Sequence, residues 1–142
     1  PADNRTDYIK RLIGLPGDSI QFISGDLYLN GIKVTKKKIK SSTELNCGNQ
    51  KFKVDYYEEM LPNNKKYIAA YSVEGSMQFS DKFIVPDNHY FFMGDNRDCS
   101  KDSRYLTSVG YVNFNNLVGK ARIIFISTGD GIRKDRFFKK IN

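Results

Sequence analysis

The sequence is poor in the residues that build common metal and thiol sites. Its 142 residues include one histidine, His89, and two widely separated cysteines, Cys47 and Cys99. Structural zinc sites use four Cys or His ligands, so we expect neither a metal site nor another cofactor. Two cysteines exclude a disulfide-rich scaffold, and two free thiols are favoured over one disulfide. His89 follows a turn-like Pro86-Asp87-Asn88 stretch, which favours an exposed histidine over a member of a catalytic triad.

Long apolar runs and tryptophan are also missing. No run approaches the roughly 20 residues of a membrane-spanning helix, so we do not expect the chain to cross a bilayer by itself. The sequence starts at Pro1 rather than at methionine, and no charged-then-apolar secretory signal follows. We interpret it as a piece of a longer protein, and such a piece can lack part of its site.

Aromatic residues and basic charge are plentiful. The 10 Phe and 9 Tyr, within 39% apolar residues, favour a folded domain rich in strands. Lys and Arg outnumber Asp and Glu by 23 to 16, which gives a net charge of +7. This excess leaves open nucleic acid, an anionic membrane surface, or no specific partner.

Alternating apolar residues and turn signals predict a mainly antiparallel β fold. Tyr8–Ile13 is an expected strand, and the Asn30-Gly31 pair predicts a hairpin that makes the first third a meander. Further strands are expected at Tyr67–Val73, Tyr90–Met93 and Arg122–Ile126, with Phe52–Met60 either a strand or a short helix.

The composition changes over residues 35–81, which hold the Lys36–Lys40 run and a Ser-, Asn- and Gly-rich stretch. We therefore predict that 1–34 and 82–142 form the core and that 35–81 is an inserted β-hairpin subdomain. The lysine run is interpreted as a solvated hairpin, with contact to anionic lipid as the functional alternative.

The first stretch with residues suited to catalysis surrounds Lys10. This lysine lies inside an apolar, β-prone stretch that ends at a Gly14–Asp18 turn. An ammonium near a core either extends to water or lowers its pKa, and a neutral lysine amine is a competent general base. A strand lysine pointing to solvent is the commoner case for such a pattern taken alone.

The second stretch runs from Gly94 to Arg104 and follows an apolar strand. It contains two Asp-x-Arg pairs, Asp95 with Arg97 and Asp102 with Arg104, on either side of Ser100. Alternating carboxylates and guanidiniums can brace a loop by bidentate pairing. A solvated charged turn is the alternative.

Together the two stretches resemble two signature boxes of the bacterial type I signal peptidases. The matching residues are Tyr8-Ile9-Lys10-Arg11 with Gly14-Leu15-Pro16-Gly17-Asp18, and Gly94-Asp95-Asn96-Arg97-Asp98 with Ser100 and Asp102-Ser103-Arg104-Tyr105. Val85-Pro86, Tyr90–Met93 and Leu117–Ala121 also fit the family's sequence around the second box. Two long motifs in the right order are far more specific than a single short pattern.

The resemblance implies a membrane-bound serine endopeptidase of signal-peptidase-like β fold, with a Ser/Lys dyad. Such an enzyme removes signal peptides from secretory preproteins on the outer, periplasmic face of the bacterial cytoplasmic membrane, and it selects small residues before the cleavage site. Lys10 would be the general base and Ser100 would orient it. The supporting residues would be Arg11, Asp95, Arg97, Asp102 and Arg104, with Asp95 pairing with Arg11. Lipid would be a partner, and nucleic acid would not.

The sequence departs from the family at the nucleophile. The family's nucleophilic serine belongs to a Ser-Met motif between the membrane anchor and the lysine box, and this motif is absent before Lys10. Gly75-Ser76-Met77 imitates it but follows the lysine, so we interpret Ser76 as a decoy and expect the chain to be inactive. Cys99 stands where many members carry asparagine.

Two rival interpretations remain. A self-cleaving repressor shares the Ser/Lys chemistry but does not explain the stretch from Gly94 to Arg104. A basic β-barrel module that binds nucleic acid is compatible with the charge and the aromatic residues. Steeply salt-dependent affinity for single strands would support the second rival.

Overall fold

A computed structural model describes residues 6–124 and 139–141 of the chain. In these ranges the chain forms ten β-strands and two short 3₁₀ turns. The strands are β1 (Arg11–Gly14), β2 (Ser19–Ile23), β3 (Asp26–Leu29), β4 (Ile32–Lys33), β5 (Thr35–Cys47), β6 (Gln50–Met60), β7 (Lys66–Ser72), β8 (Phe83–Ile84), β9 (His89–Met93) and β10 (Val112–Asn113); the turns are Arg97–Cys99 and Phe114–Asn116.

The strands form three antiparallel sheets, with the orders β1-β9-β10, β4-β3-β2-β8 and β5-β6-β7. The mainly antiparallel β fold is therefore confirmed. One cluster of buried residues joins the sheets; it includes Phe22 of β2, Phe91 of β9 and Tyr71 of β7. No helix in the described ranges is long and apolar enough to cross a membrane.

Pairing of β1 with β9 brings the two chemically interesting stretches together. Arg11 lies opposite Met93 and Leu12 opposite Phe92, so Lys10 and Gly94 are neighbours at the end of this ladder. The strand expected from Tyr8 is shorter than predicted and begins at Arg11. The side chains of Tyr8 and Ile9 are both exposed, so the inward and outward alternation that stabilises a strand is absent there.

Residues 35–81 form more than a hairpin, because β7 adds a third strand to the long β5–β6 hairpin. Phe52–Met60 is part of β6 rather than a helix, and β7 lies close to its expected position. Leu61, Tyr67 and Tyr71 belong to the same buried cluster as Phe22 and Phe91. The division into a core and an inserted subdomain stays a prediction, but these two parts share one hydrophobic core.

The Lys36–Lys40 run is not uniformly solvated, contrary to expectation. Lys36 Nζ donates to the Gly25 carbonyl at 2.9 Å and lies 4.0 Å from the centre of the Tyr71 ring. Lys38 Nζ lies 2.6 Å from a carboxylate oxygen of Asp55. Only Lys36 of the run is half-buried; Lys37, Lys38 and Lys40 are exposed, although Lys38 pairs with Asp55.

The cysteines form a disulfide, so the prediction of two free thiols is wrong. Cys47 and Cys99 have Cα atoms 5.7 Å apart and are separated by 52 residues in sequence. Cys47 ends β5, and the length of the β5–β6 hairpin carries it to the segment that follows β9.

The chain after β10 is described only in part. The strand expected at Arg122–Ile126 extends outside the described residues. Ile123 forms an isolated antiparallel bridge with Lys140.

Candidate active site

The charged loop, residues 94–104, starts where β9 ends and turns back over the end of β1. Gly94 allows this path, because a Cβ at this position would overlap the Ser100 side chain. Ser103 closes the loop against β9, with its amide donating to the Phe92 carbonyl at 3.0 Å and its hydroxyl accepting from the Phe92 amide at 2.9 Å. Ser100 is thus held close to the backbone at the end of β9.

Lys10 and Ser100 meet at this point. Lys10 Nζ donates to Ser100 Oγ at 2.7 Å. Burial lowers the pKa of Lys10 because the ammonium loses hydration; the charge of Asp102 opposes this effect and that of Arg104 adds to it. An amine with a lowered pKa, hydrogen-bonded to a hydroxyl, has the properties of a general base.

The Asp102–Arg104 pair predicted from the sequence is present and buried. Arg104 Nε donates to Asp102 Oδ1 at 2.8 Å, and the Gly94 amide donates to Asp102 Oδ2 at 2.9 Å. Burial alone would raise the pKa of Asp102, but Arg104 and the Gly94 amide outweigh it and hold that pKa below its usual value. The ionised carboxylate therefore joins both ends of the charged loop.

The expected pairing of Arg11 with Asp95 is also present. Arg11 Nε and Nη2 donate to the two carboxylate oxygens of Asp95 at 2.7 and 2.9 Å, and the guanidinium stacks 4.4 Å from the centre of the Tyr67 ring. The backbone of Asp95 is fixed to β7, because the Ala70 amide donates to the Asp95 carbonyl at 2.8 Å. The stretch around Lys10 is therefore held to the charged loop by the Arg11–Asp95 pair as well as by the pairing of β1 with β9.

Arg97 does not pair with Asp95, so this part of the predicted bracing is wrong. Its guanidinium is buried and donates to Glu59 Oε2 at 2.6 Å and to the hydroxyls of Tyr71 and Tyr67 at 3.0 and 3.2 Å. Glu59 is completely buried. The partner comes from β6, 38 residues away, because Asp95 is already engaged by Arg11.

The sequence interpretation missed Glu59, Tyr67 and Tyr71. Glu59 lies directly opposite Tyr67 in the β6–β7 ladder, and burial raises the pKa values of Tyr67 and Tyr71 above their usual range. The available signal was the alternation Tyr67-x-Ala69-x-Tyr71, which marks one face of a strand. An acid opposite that face becomes visible only when the register of the two strands is known.

Ser76 has other partners. Its hydroxyl donates to Asp98 Oδ2 at 2.5 Å and lies 3.0 Å from the Ser72 carbonyl. Asp98 also accepts from the Ser72 amide at 2.7 Å, so this group binds the charged loop to the end of β7. His89 Nδ1 lies 2.8 Å from the carbonyl of Asp87 within the preceding turn.

A cavity of about 560 Å³ adjoins Ser100. The Cys47–Cys99 disulfide forms one side of it, and Lys101 and Tyr105 contribute to the rest. In residues 6–124 and 139–141, no group of three or more His, Cys, Asp and Glu side chains is arranged to hold a metal ion.

Comparison with known proteins finds one matching family model and a set of curated relatives. Residues 1–126 match the family model described as "Signal peptidase, peptidase S26". Signal peptidase I of Rickettsia typhi is 38% identical over 135 residues, which cover 90% of this chain and 49% of the relative. That of Rickettsia bellii is 41% identical over 136 residues, which cover 90% and 45%. The chain thus spans about half the length of these curated relatives.

A solved structure is also similar to the chain. It is the crystal structure of a signal peptidase I from Enterococcus faecalis, with 28% sequence identity, coverage of 78% of both chains and a TM-score of 0.41. With the family model matched over most of the length, the chain belongs to the signal peptidase family, peptidase S26.

Proposed function

We propose that the chain is the lysine-bearing part of a membrane-associated serine endopeptidase that removes signal peptides from secretory preproteins. Membership of the family supports the reaction class. The observation that carries the proposal is the 2.7 Å contact between Lys10 Nζ and Ser100 Oγ, at a lysine whose pKa is lowered by burial.

In this mechanism Lys10 is the general base of a Ser/Lys dyad. The neutral amine takes the proton from a nucleophilic serine, whose oxygen then attacks the carbonyl of the scissile bond. Ser100 orients the amine by its hydrogen bond, and Asp102 and Arg104 hold Ser100 through the charged loop. Arg11 and Asp95 keep Lys10 and the loop at the same end of the β1–β9 ladder.

We further propose that the nucleophilic serine is not one of the described serines. Ser100 already contacts Lys10 but is buried, which restricts the approach of a peptide carbonyl. Ser76 is bound to Asp98 and the Ser72 carbonyl. In the type I signal peptidases that the sequence resembles, the nucleophile belongs to a Ser-Met motif before the lysine box, so the 142-residue chain by itself is expected to be inactive.

The proposed substrates are preproteins with small residues before the cleavage site, bound in extended form along a sheet edge. The site would face the outer side of the cytoplasmic membrane, with lipid as a neighbouring surface. Neither a cofactor nor nucleic acid is required for this chemistry.

Cleavage of a signal-peptide substrate tests the role of Lys10. In a longer protein that contains this chain, Lys10→Ala should abolish cleavage, whereas Lys37→Ala, a change at an exposed lysine of β5, should leave it intact. Full activity of the Lys10→Ala protein would refute the proposed base.

The 142-residue chain tests the position of the nucleophile. We expect no cleavage of the same substrate. Cleavage that Lys10→Ala abolishes would show that the nucleophile is within the chain, and loss of that cleavage with Ser76→Ala would identify it as Ser76.

A further inference from the structure

We propose that the Cys47–Cys99 disulfide positions Ser100 for Lys10, which makes the two cysteines positioning residues of the site. This inference rests on the proposed function of Lys10 as a base. Cys99 directly precedes Ser100 and ends the 3₁₀ turn Arg97–Cys99. The covalent bond therefore acts one residue away from the hydroxyl that accepts from Lys10.

The rest of the charged loop is held on both sides of this point. Arg97 and Asp98 are bound before it, by Glu59 and by the Ser72 amide. Asp102 is bound after it, by Arg104 and the Gly94 amide. Residues 99–101 lie between these two anchored parts, so their position depends on additional restraints.

The cavity beside Ser100 gives this short segment room to move. Ser100 is buried and packs against Gly94, but about 560 Å³ of open space also adjoins the segment that carries it. Cys47 and Gly48 also line that space. Because the disulfide spans from Cys99 to Cys47, it limits displacement of Ser100 away from Lys10.

The hairpin tip, residues 43–53, gains order from the same bond. The β6–β7 ladder starts at Val54 and the Val73 amide donates to the Lys53 carbonyl, so beyond Lys53 only β5 pairs with β6. A two-stranded hairpin is marginally stable in water, and residues at the turn such as Gly48 are exposed. The tip and the segment containing Ser100 therefore restrain each other across one covalent link.

Titration of Lys10 in the 142-residue chain tests the proposal without requiring a nucleophile. The side-chain carbon signals of lysine report the pKa by NMR, and the same signals in the urea-unfolded chain give the ordinary lysine pKa. In the oxidised chain we expect the pKa of Lys10 to lie below this ordinary value. After reduction by a phosphine, or in the Cys47→Ser/Cys99→Ser chain, displacement of Ser100 should admit water to the amine, and the Lys10 pKa should rise toward the ordinary value because burial is what lowers it. Joining the reduced sulfurs by a single methylene should restore the lowered pKa, whereas capping each sulfur separately should not.

A second measurement covers the case in which the opened chain unfolds. Bridging the reduced sulfurs with spacers of increasing length keeps the chain cross-linked, and the Lys10 pKa should rise with the length of the spacer. Two results would overturn the positioning role alone: a Lys10 pKa that stays lowered when the disulfide is opened in a folded chain, or one that does not change with the length of the spacer. A Lys10 pKa in the folded, oxidised chain equal to that in the urea-unfolded chain would overturn the proposed base, and this inference with it.

Discussion

One disulfide joins the charged loop and the hairpin tip, yet the loop buries its charged side chains and the tip exposes them. In the loop Arg97, Asp102 and Arg104 are 1%, 0% and 6% exposed and each has a charged partner. In the tip Glu44 and Lys51 are largely exposed, and their nearest charged atoms are 3.8 Å apart. A dense run of charges in sequence therefore indicates neither burial nor exposure. The number of partners that the fold brings to each charge decides between them.

The largest effect is expected from breaking the buried pair of the loop. Arg97→Met leaves Glu59 buried without a counter-ion, which should lower the free energy of unfolding by about 3–5 kcal/mol. Urea denaturation measures this loss. The Arg97→Met/Glu59→Leu double variant removes both charges and should regain much of it, and a single variant as stable as the double would show that Glu59 needs no partner.

A glycine in each segment gives the next comparison. Gly94→Ala places a methyl group against Ser100, which should cost about 1–3 kcal/mol by overpacking. Displacement of Ser100 should also admit water to Lys10 and raise its pKa, since burial is what lowers that pKa. Gly48→Ala meets no atom within 4 Å but has a φ of +60°, so it should cost about 1 kcal/mol from backbone strain.

Lysine titration by NMR separates these two glycine variants. The Lys10 pKa should change in Gly94→Ala and not in Gly48→Ala. Equal Lys10 pKa values in the two variants would mean that Gly94 does not control the position of Ser100.

Acid should act on the loop more than on the tip. Because the pKa of Asp102 is held below its usual value, its ionised form stabilises the folded chain above about pH 4, and this contribution is lost as the pH falls through the lowered pKa. Asp102→Asn should therefore be less stable than the unsubstituted chain at pH 6 and show a smaller loss between pH 6 and pH 3. Glu44→Gln is the matched change in the tip and should leave that pH dependence unchanged. Denaturant unfolding at several pH values would contradict the assignment if Asp102→Asn kept the full acid loss.

The sequence was sufficient to predict the features that depend on neighbouring residues. Alternation and the Asn30-Gly31 turn predicted the antiparallel strands, and the Asp-x-Arg spacing predicted the Asp102–Arg104 pair, which lies within three residues. The resemblance of two motifs to one family predicted that Lys10 and Ser100 belong together. Their roles in catalysis stay predictions.

Features that join distant segments could not be predicted in the same way. The Arg97–Glu59 pair depends on the register of β6 against β7, and Arg97 had a nearer acid in Asp95 that another arginine occupies. The disulfide forms because the long β5–β6 hairpin extends as far as the charged loop. The sequence of residues 41–50 is typical of a polar loop, so it does not predict strands of that length. In both cases the sequence contains the residues, and only the three-dimensional pairing selects the partner.

The smallest effect is expected at the ion pair of the hairpin tip. Lys51 and Glu44 are 71% and 64% exposed, so water and salt already screen their attraction and both side chains lose rotamer freedom when they pair. Lys51→Ala should change the free energy of unfolding by less than about 0.5 kcal/mol, and the change should vanish in 1 M NaCl. Lys65→Ala is the control, since it removes an exposed lysine that lies outside the hairpin tip and leaves this pair in place. A loss in Lys51→Ala comparable to that of Arg97→Met would mean that the tip relies on charge as the loop does, and that exposure is not what separates the two segments.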